Sequence, residues 1–155
     1  MQLTVRTIRQ WGYKIALITG VSTLAIHMAL ADSVSDRNAA MKDVGKAMKS
    51  LADTAKGAVE FVGEDVEKNA QTIVSLFEVA RPLFDNGEEV SGSRAKATIW
   101  SDAAGFSKEF DDGIAAAKAV ADAGAEYDED AFKAAFGELG GSCKSCHESY
   151  RLPKE

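Results

Sequence analysis

The apolar positions of this chain recur at helical spacing in separate stretches. The first stripe steps by three and four residues and predicts an amphipathic helix over 34–56. A second predicts helix over about 63–81, where Pro82 disfavours continuation. The inward positions of these two helices are Val34, Arg37, Met41, Val44, Met48, Leu51 and Ala55, then Val66, Ala70, Ile73, Leu76, Phe77 and Ala80.

Two further stripes follow an irregular stretch at about 83–97, whose length is typical of a functional loop or a crossover. One predicts helix over about 99–123, and Asp128 is placed to cap a fourth helix that ends before Pro153. Their inward positions are Trp100, Phe106, Phe110, Ile114, Ala117 and Val120, then Phe132, Phe136, Leu139, Cys143, Cys146 and Tyr150. No stretch alternates like a strand, so the pattern predicts an all-α fold, an antiparallel four-helix bundle with crossing angles near ~20°.

The N-terminal residues differ from the rest of the chain. Three basic residues precede an apolar run that ends in Ala29-Leu30-Ala31, and the first acidic residue is Asp32. This arrangement is typical of a secretory signal peptide, whereas a retained membrane anchor would need a longer uninterrupted apolar stretch. We therefore expect residues 1–31 to be a signal peptide and 32–155 to form a single periplasmic domain.

The charge balance bears on partners. The chain has a net charge of −6, and removing the three basic residues of the signal from its 18 leaves 15 against 24 acidic residues, or −9. This charge argues against nucleic acid or an anionic membrane as a partner, and it would steer the protein toward basic patches on redox partners. His27 would leave with the signal peptide, which makes His147 the one histidine of the exported sequence.

The most specific motif is Cys143-Lys144-Ser145-Cys146-His147, the Cys-x-x-Cys-His pattern of c-type haem attachment. Each thiol can form a thioether with one vinyl group of the porphyrin, and the imidazole of His147 can ligate the iron. Positions i, i+3 and i+4 share one face of a helix, so the three side chains can address one flat macrocycle. The sequence thus predicts one haem c, held by Cys143, Cys146 and His147.

Other uses of paired cysteines fit this sequence poorly. Zinc needs about four ligands, and the exported sequence offers no further Cys or His. A thioredoxin-like dithiol would be expected near a βαβ pattern, which the sequence does not show. A disulfide that spans one helical turn would constrain almost nothing.

A flat haem would replace part of the side-chain core at one end of the bundle. Gly140 and Gly141 precede the cysteines by about one turn, although each costs about 1 kcal/mol relative to Ala inside a helix. The interpretation is steric: side chains here would collide with the porphyrin or with a neighbouring helix. A local kink is the alternative.

A signal peptide, four helices and a C-terminal Cys-x-x-Cys-His resemble the class II cytochromes c, whose best-known branch is cytochrome c′. The resemblance spans 32–155. Its most specific segments are Arg37 to Met41, Ile99-Trp100-Ser101-Asp102, and Ala134-Ala135-Phe136-Gly137 running into the haem motif and Tyr150-Arg151. Class I cytochromes c carry the motif near the mature N-terminus, so its C-terminal position is discriminating.

The resemblance implies roles for further residues. Arg37 and Asn38 would approach the haem propionates. Ser93 and Arg94 would touch the haem edge, and Arg151 would lie beside the exposed proximal face. The alternative for Arg37 and Arg151 is a solvated charge, and for Ser93 a turn residue. A homodimer through the first two helices is also implied.

Met41 matches the distal position over the iron. In the cytochrome c′ branch this residue does not ligate and the iron is five-coordinate and high-spin, whereas in the low-spin branch a Met sulfur is the sixth ligand. Arg37 resembles the first branch, and Met41-Lys42-Asp43 followed by Gly45 resembles the second. An ordinary core role for Met41 is a third alternative. The leading interpretation makes Met41 an iron ligand together with His147.

Two functions follow from this. The leading hypothesis is a periplasmic monohaem c-type cytochrome that carries electrons between redox partner proteins. The alternative is a high-spin cytochrome c′ that binds nitric oxide or carbon monoxide at a five-coordinate haem. An enzyme is not expected, because peroxidase-like turnover would want a distal acid–base group and the exported sequence has no second histidine. No nucleic acid partner is expected, and no membrane association after signal cleavage.

Overall fold

The computed structural model describes residues 22–85 and 93–153, with side chains from Ser33 onward. The helices of these residues are α1 Ser22–Ala55, α2 Gly63–Ala80, α3 Thr98–Ser101, α4 Ala103–Ala125 and α5 Glu129–Tyr150, and a 3-10 turn Arg81–Phe84 follows α2. Most of the predicted signal peptide and part of the predicted 83–97 loop lie outside the described residues. Within the described part of the chain, no helix combines the length and apolar character needed to cross a bilayer.

The four long helices α1, α2, α4 and α5 form the predicted all-α four-helix bundle. The most extensive helix contacts join α2 to α4, α4 to α5 and α1 to α2, whereas α1 and α5 touch much less. Most of the predicted inward positions are buried, and Phe132, Leu51, Ile73 and Leu139 are the largest fully buried side chains. The sparse contact between α1 and α5 leaves room for a cavity between them.

Two helix boundaries differ from the prediction. α1 is helical from Ser22, so its backbone runs without a break through the position of the predicted cleavage after Ala31. The predicted third helix is interrupted at Asp102, whose backbone is not helical and whose carboxylate accepts a hydrogen bond from the Gly105 N–H at 3.1 Å. Asp102 thus ends α3 and caps α4. The predicted cap at Asp128 is confirmed, because its carboxylate accepts from the Ala131 N–H at 2.9 Å.

Glycine allows α2 and α4 to approach backbone to backbone. A Cβ on Gly124 would lie 2.7 Å from the Glu67 nitrogen and 2.8 Å from the Gly63 oxygen. Gly140 and Gly141 are different, because a Cβ on either would meet nothing within 4 Å in an unbroken α5. A neighbouring helix therefore does not require these two glycines, and α5 has no break at them. The predicted collision of a side chain with the porphyrin stays a prediction.

Candidate haem site

A cavity of about 370 Å³ lies where α1, α4 and α5 meet the 3-10 turn and the segment after residue 92. All eight site residues singled out from the sequence line it, as does Arg151. The eight are Arg37, Asn38, Met41, Ser93, Arg94, Cys143, Cys146 and His147. Much of the remaining wall is apolar and includes Val34, Val44, Phe77, Phe84, Ala95, Ile99, Phe106 and Phe110. The fold therefore brings residues from distant parts of the sequence to one apolar cavity.

The haem motif lies on the last three turns of α5. Cys143, Cys146 and His147 are all half-buried and line the same cavity, and the two cysteines are free thiols. Burial raises the pKa of Cys143, and burial together with the charge of Glu109 raises that of Cys146 to about 11. Both groups are therefore neutral thiols at physiological pH, held side by side on one helix face.

The imidazole of His147 is held in its neutral form. Burial lowers its pKa first, and the positive charges of Arg151 and Arg94 lower it further. Neutral imidazole is the form that ligates a metal ion. The two thiols and this nitrogen donor match what a covalently attached haem requires of the protein.

The segment that follows residue 92 caps the end of α5. Three backbone carbonyl oxygens at this end accept hydrogen bonds from the segment. The Lys96 backbone N–H donates to that of Tyr150 at 3.0 Å, and the Lys96 ammonium donates to that of Glu148 at 2.7 Å. The Thr98 hydroxyl donates to that of Ser149 at 3.2 Å. These bonds satisfy carbonyls that a helix end leaves free, and the positive charge suits the negative end of the helix dipole. Because His147 lies in the same turn, this cap fixes the helix that presents the imidazole.

Ser93 and Arg94 lie in this segment, and their hydrogen bonds are local or to the C-terminus. The Ser93 hydroxyl accepts from the Ala95 N–H at 3.1 Å, as expected for the turn role that was its alternative. The Arg94 guanidinium donates to the Leu152 oxygen at 3.1 and 2.7 Å. Ala95 also forms the isolated antiparallel bridge to Arg151. Ser93 and Arg94 nevertheless line the cavity, near the C-terminal end of α5.

Arg37 is buried, with 6% of its surface exposed, so the alternative of a solvated charge is wrong for this residue. Its Nε donates to the Ser33 oxygen at 3.2 Å, and its guanidinium carbon lies 4.8 Å from the centre of the Phe84 ring. Desolvation lowers the pKa of Arg37, although an arginine stays charged. A buried cation in a cavity wall favours an anionic group of the cavity's occupant. Arg151, in contrast, is exposed, which agrees both with a solvated charge and with a place beside the exposed proximal face.

The sequence did not single out Phe84, which builds much of the aromatic wall. The ring lies 5.0 Å from Phe106 and 6.0 Å from Phe110, centre to centre, in tilted or edge-on contacts. The Trp100 indole N–H donates to the Phe84 oxygen at 2.9 Å and holds the 3-10 turn in place. Pro82 in that turn was the available signal, since proline suits the first turn of a helical segment.

The wall continues to Tyr150, whose ring lies 5.2 Å from that of Phe106. The Tyr150 hydroxyl donates to the Asp102 carboxylate at 2.7 Å, and this bond raises the pKa of Tyr150 to about 12. The same bond lowers the pKa of Asp102. The network links the end of α5 to the cap of α4, so two helices that line the cavity are tied together beside it.

Comparison with known proteins identifies the family. The sequence matches the family described as Cytochrome C′ over residues 32–151. Cytochrome c′ from Rhodopseudomonas palustris is 35% identical over 146 residues, which cover 91% of this chain and 97% of the relative. Cytochrome c-556 from Agrobacterium tumefaciens is 34% identical over 125 residues, which cover 80% of this chain and 100% of the relative.

Solved structures of cytochromes c′ share the fold. The protein from Rubrivivax gelatinosus has a TM-score of 0.73 at 31% identity, covering 79% of this chain and 96% of that chain. A nitric oxide complex of a cytochrome c′ mutant from Alcaligenes xylosoxidans has a TM-score of 0.74 at 28% identity, covering 81% and 97%. The resemblance to the class II cytochromes c is confirmed, and the chain belongs to the haem-binding cytochrome c′ family.

Proposed function

We propose that this protein is an exported monohaem cytochrome c′ that binds a small gas, nitric oxide or carbon monoxide, at a five-coordinate iron. The observation that carries the proposal is an apolar cavity in which His147 is the one imidazole among the described lining residues. Structures similar to this chain include variants of a cytochrome c′ with nitric oxide and with carbon monoxide bound, at 28% and 27% identity. This reverses the order of the two functions inferred from the sequence, where electron transfer came first.

One haem c would be held by thioethers from Cys143 and Cys146, with His147 as the proximal ligand. When bound, its ferrous iron supplies the position that a gas molecule occupies. The chain presents the two thiols and the imidazole from one helix face, and the cap on α5 keeps that helix in place. The buried guanidinium of Arg37, with Asn38 beside it, would pair with a propionate. Such charge-assisted hydrogen bonds are strong where water is excluded.

Met41 is proposed to shield the iron without ligating it. Its side chain is partly buried against the core of the bundle and shares the cavity wall with Val44 of the same helix. The Met41 and Val44 side chains offer no strong hydrogen bond to a bound ligand, so this part of the wall favours neutral diatomic gases over polar or anionic molecules. We propose no catalytic turnover for this site.

One-electron transfer with Met41 as sixth ligand is the second candidate. It is favoured by one observation, namely that the Met41 thioether and the His147 imidazole line the same cavity from different helices. Histidine and methionine together are an established pair of axial ligands for a c-type haem.

Optical spectra of the haem-loaded protein separate the two functions. For the gas-binding protein we expect a high-spin ferric spectrum at neutral pH, a ferrous form that takes up carbon monoxide, and an unchanged spin state in Met41→Leu. Met48→Leu is the matched control, because Met48 lies two turns further along α1 and is not among the residues that line the cavity. A low-spin ferric spectrum that Met41→Leu alone converts to high-spin would overturn the proposal and establish Met41 as a ligand.

Export to the periplasm is part of the proposal. The family match begins at Asp32, the residue that follows the predicted cleavage position. We expect N-terminal sequencing of the haem-loaded protein to begin at Asp32. Haem-loaded protein that begins at Met1 would contradict cleavage before haem attachment.

A further inference from the structure

Glu109 is a charged residue of the cavity that the proposed function does not use. It lies on the second turn of α4 and is the one carboxylate among the described residues that line the cavity. Its Oε1 accepts a hydrogen bond from the Ser145 hydroxyl at 2.9 Å. Ser145 lies between Cys143 and Cys146, so this bond joins α4 directly to the haem-attachment motif.

The charge of Glu109 acts on groups of the site. It contributes to the raised pKa of Cys146 and to that of Tyr150. Two positive charges act on the other side of the motif, where Arg151 and Arg94 help to lower the pKa of His147. The cavity therefore has the negative Glu109 on the α4 side of the attachment motif, and the positive Arg94 and Arg151 near the C-terminal end of α5.

We propose that Glu109, held in place by Ser145, sets the reduction potential of the haem iron by stabilising the ferric state over the ferrous state. The inference rests on the proposed function only in that it needs an attached haem. Reduction adds one electron to the iron and changes no bond and no proton at Glu109. The negative carboxylate therefore attracts the more positive ferric iron more strongly than it attracts the ferrous iron. Because gases such as carbon monoxide bind ferrous iron, Glu109 would set how much of the protein is ready to bind them.

The size of the effect follows from Coulomb's law. For a carboxylate on the order of 10 Å from a redox centre, an effective dielectric constant of about 20 gives a change of roughly tenfold in the ferrous-to-ferric ratio. Ser145 contributes by keeping the carboxylate over the motif. Without that bond the Glu109 side chain can turn toward solvent. Dissolved ions would then screen the effect of its charge on the iron over a distance of about 10 Å.

Spectroelectrochemical titration of the haem-loaded protein tests the proposal. Glu109→Gln removes the charge and should shift the midpoint potential upward, by the equivalent of roughly tenfold in the ferrous-to-ferric ratio. Glu109→Asp keeps the charge but shortens the side chain and weakens the bond to Ser145, so Glu109→Asp and Ser145→Ala should each give a smaller upward shift. Glu126→Gln is the matched control, since it makes the same charge change at the far end of α4, about 25 Å along the helix.

The outcomes are distinct. An upward shift in Glu109→Gln that exceeds those of Glu126→Gln, Glu109→Asp and Ser145→Ala supports the proposal. Equal potentials in Glu109→Gln and Glu126→Gln overturn it. Equal shifts in Glu109→Gln and Glu109→Asp also overturn it, because they indicate altered packing in place of charge. A wild-type protein that carries no haem would instead refute the proposed function.

Discussion

Removal of the haem should cost this fold a large part of its stability. The perturbation is the double variant Cys143→Ala with Cys146→Ala, purified free of haem. The two substitutions change little of the sequence of the helices, but they leave the cavity between α1, α4 and α5 without a haem. The apolar face of α1 would then border an empty space, because α1 and α5 make few direct contacts with each other.

The cavity volume gives the magnitude. At about 24 cal/mol per Å³, a cavity of about 370 Å³ corresponds to roughly 9 kcal/mol of lost stability when its walls cannot move. This is an upper limit, because the cavity opens to solvent and its walls can partly collapse. A domain of this size has a total free energy of unfolding of about 5–15 kcal/mol. Half of the upper limit, about 4.5 kcal/mol, is close to the whole of the lower end of this range and about a third of its upper end.

Circular dichroism during guanidinium titration measures this. We expect the double variant to have a lower midpoint and a shallower slope than the haem-loaded wild type, since less surface is buried in its folded form. Cys143→Ala alone retains one thioether, so its haem-loaded form should lie between the two. A haem-free double variant with the midpoint and slope of the wild type would refute the idea that the haem completes the core.

Two further predictions concern the packing around the site. Folding raises the pKa of Tyr150 from an ordinary 10.0 to about 12, so the bond to Asp102 stabilises the fold fully below pH 10 and is lost as the pH rises toward 12. The difference in unfolding free energy between wild type and Tyr150→Phe should therefore shrink across this range in urea titrations, and a constant difference would contradict the assignment. Gly124→Ala should destabilise by about 1–3 kcal/mol, because its Cβ would meet the backbone of α2. Gly137→Ala, with nothing within 4 Å of its Cβ, should be neutral or stabilising; an equal loss in both variants would contradict the close-approach argument.

Most of the bundle could be predicted because its signals are local. The apolar stripes gave the four long helices, and Asp128 marked the start of α5 through its own side chain. The break at Asp102 was missed because Asp102 is stabilised by a distant partner, the Tyr150 hydroxyl, as well as by Gly105. The stripe continues across the break, so periodicity alone could not show it.

The site could be predicted in its chemistry but not in its construction. The haem motif is contiguous, and the residues implied by family resemblance all line the cavity. The cap that Lys96 and Thr98 place on α5 joins residues about fifty positions apart, and no local pattern announces such a pairing. Phe84 was missed for the same reason, because the 3-10 turn that carries its ring is bonded to Trp100, sixteen residues further along the chain.

This division bears on how relatives with one motif can differ in function. The attachment residues of α5 form a local unit, but the groups proposed to set ligand access and iron potential come from other helices. Met41 lies on α1 and Glu109 on α4, and both line the cavity that the motif faces. Substitution at either position leaves the Cys-x-x-Cys-His spacing untouched, so under the proposed function haem attachment and iron reactivity would change independently. The motif therefore indicates the cofactor, whereas the proposed function depends on side chains that only the fold brings to it.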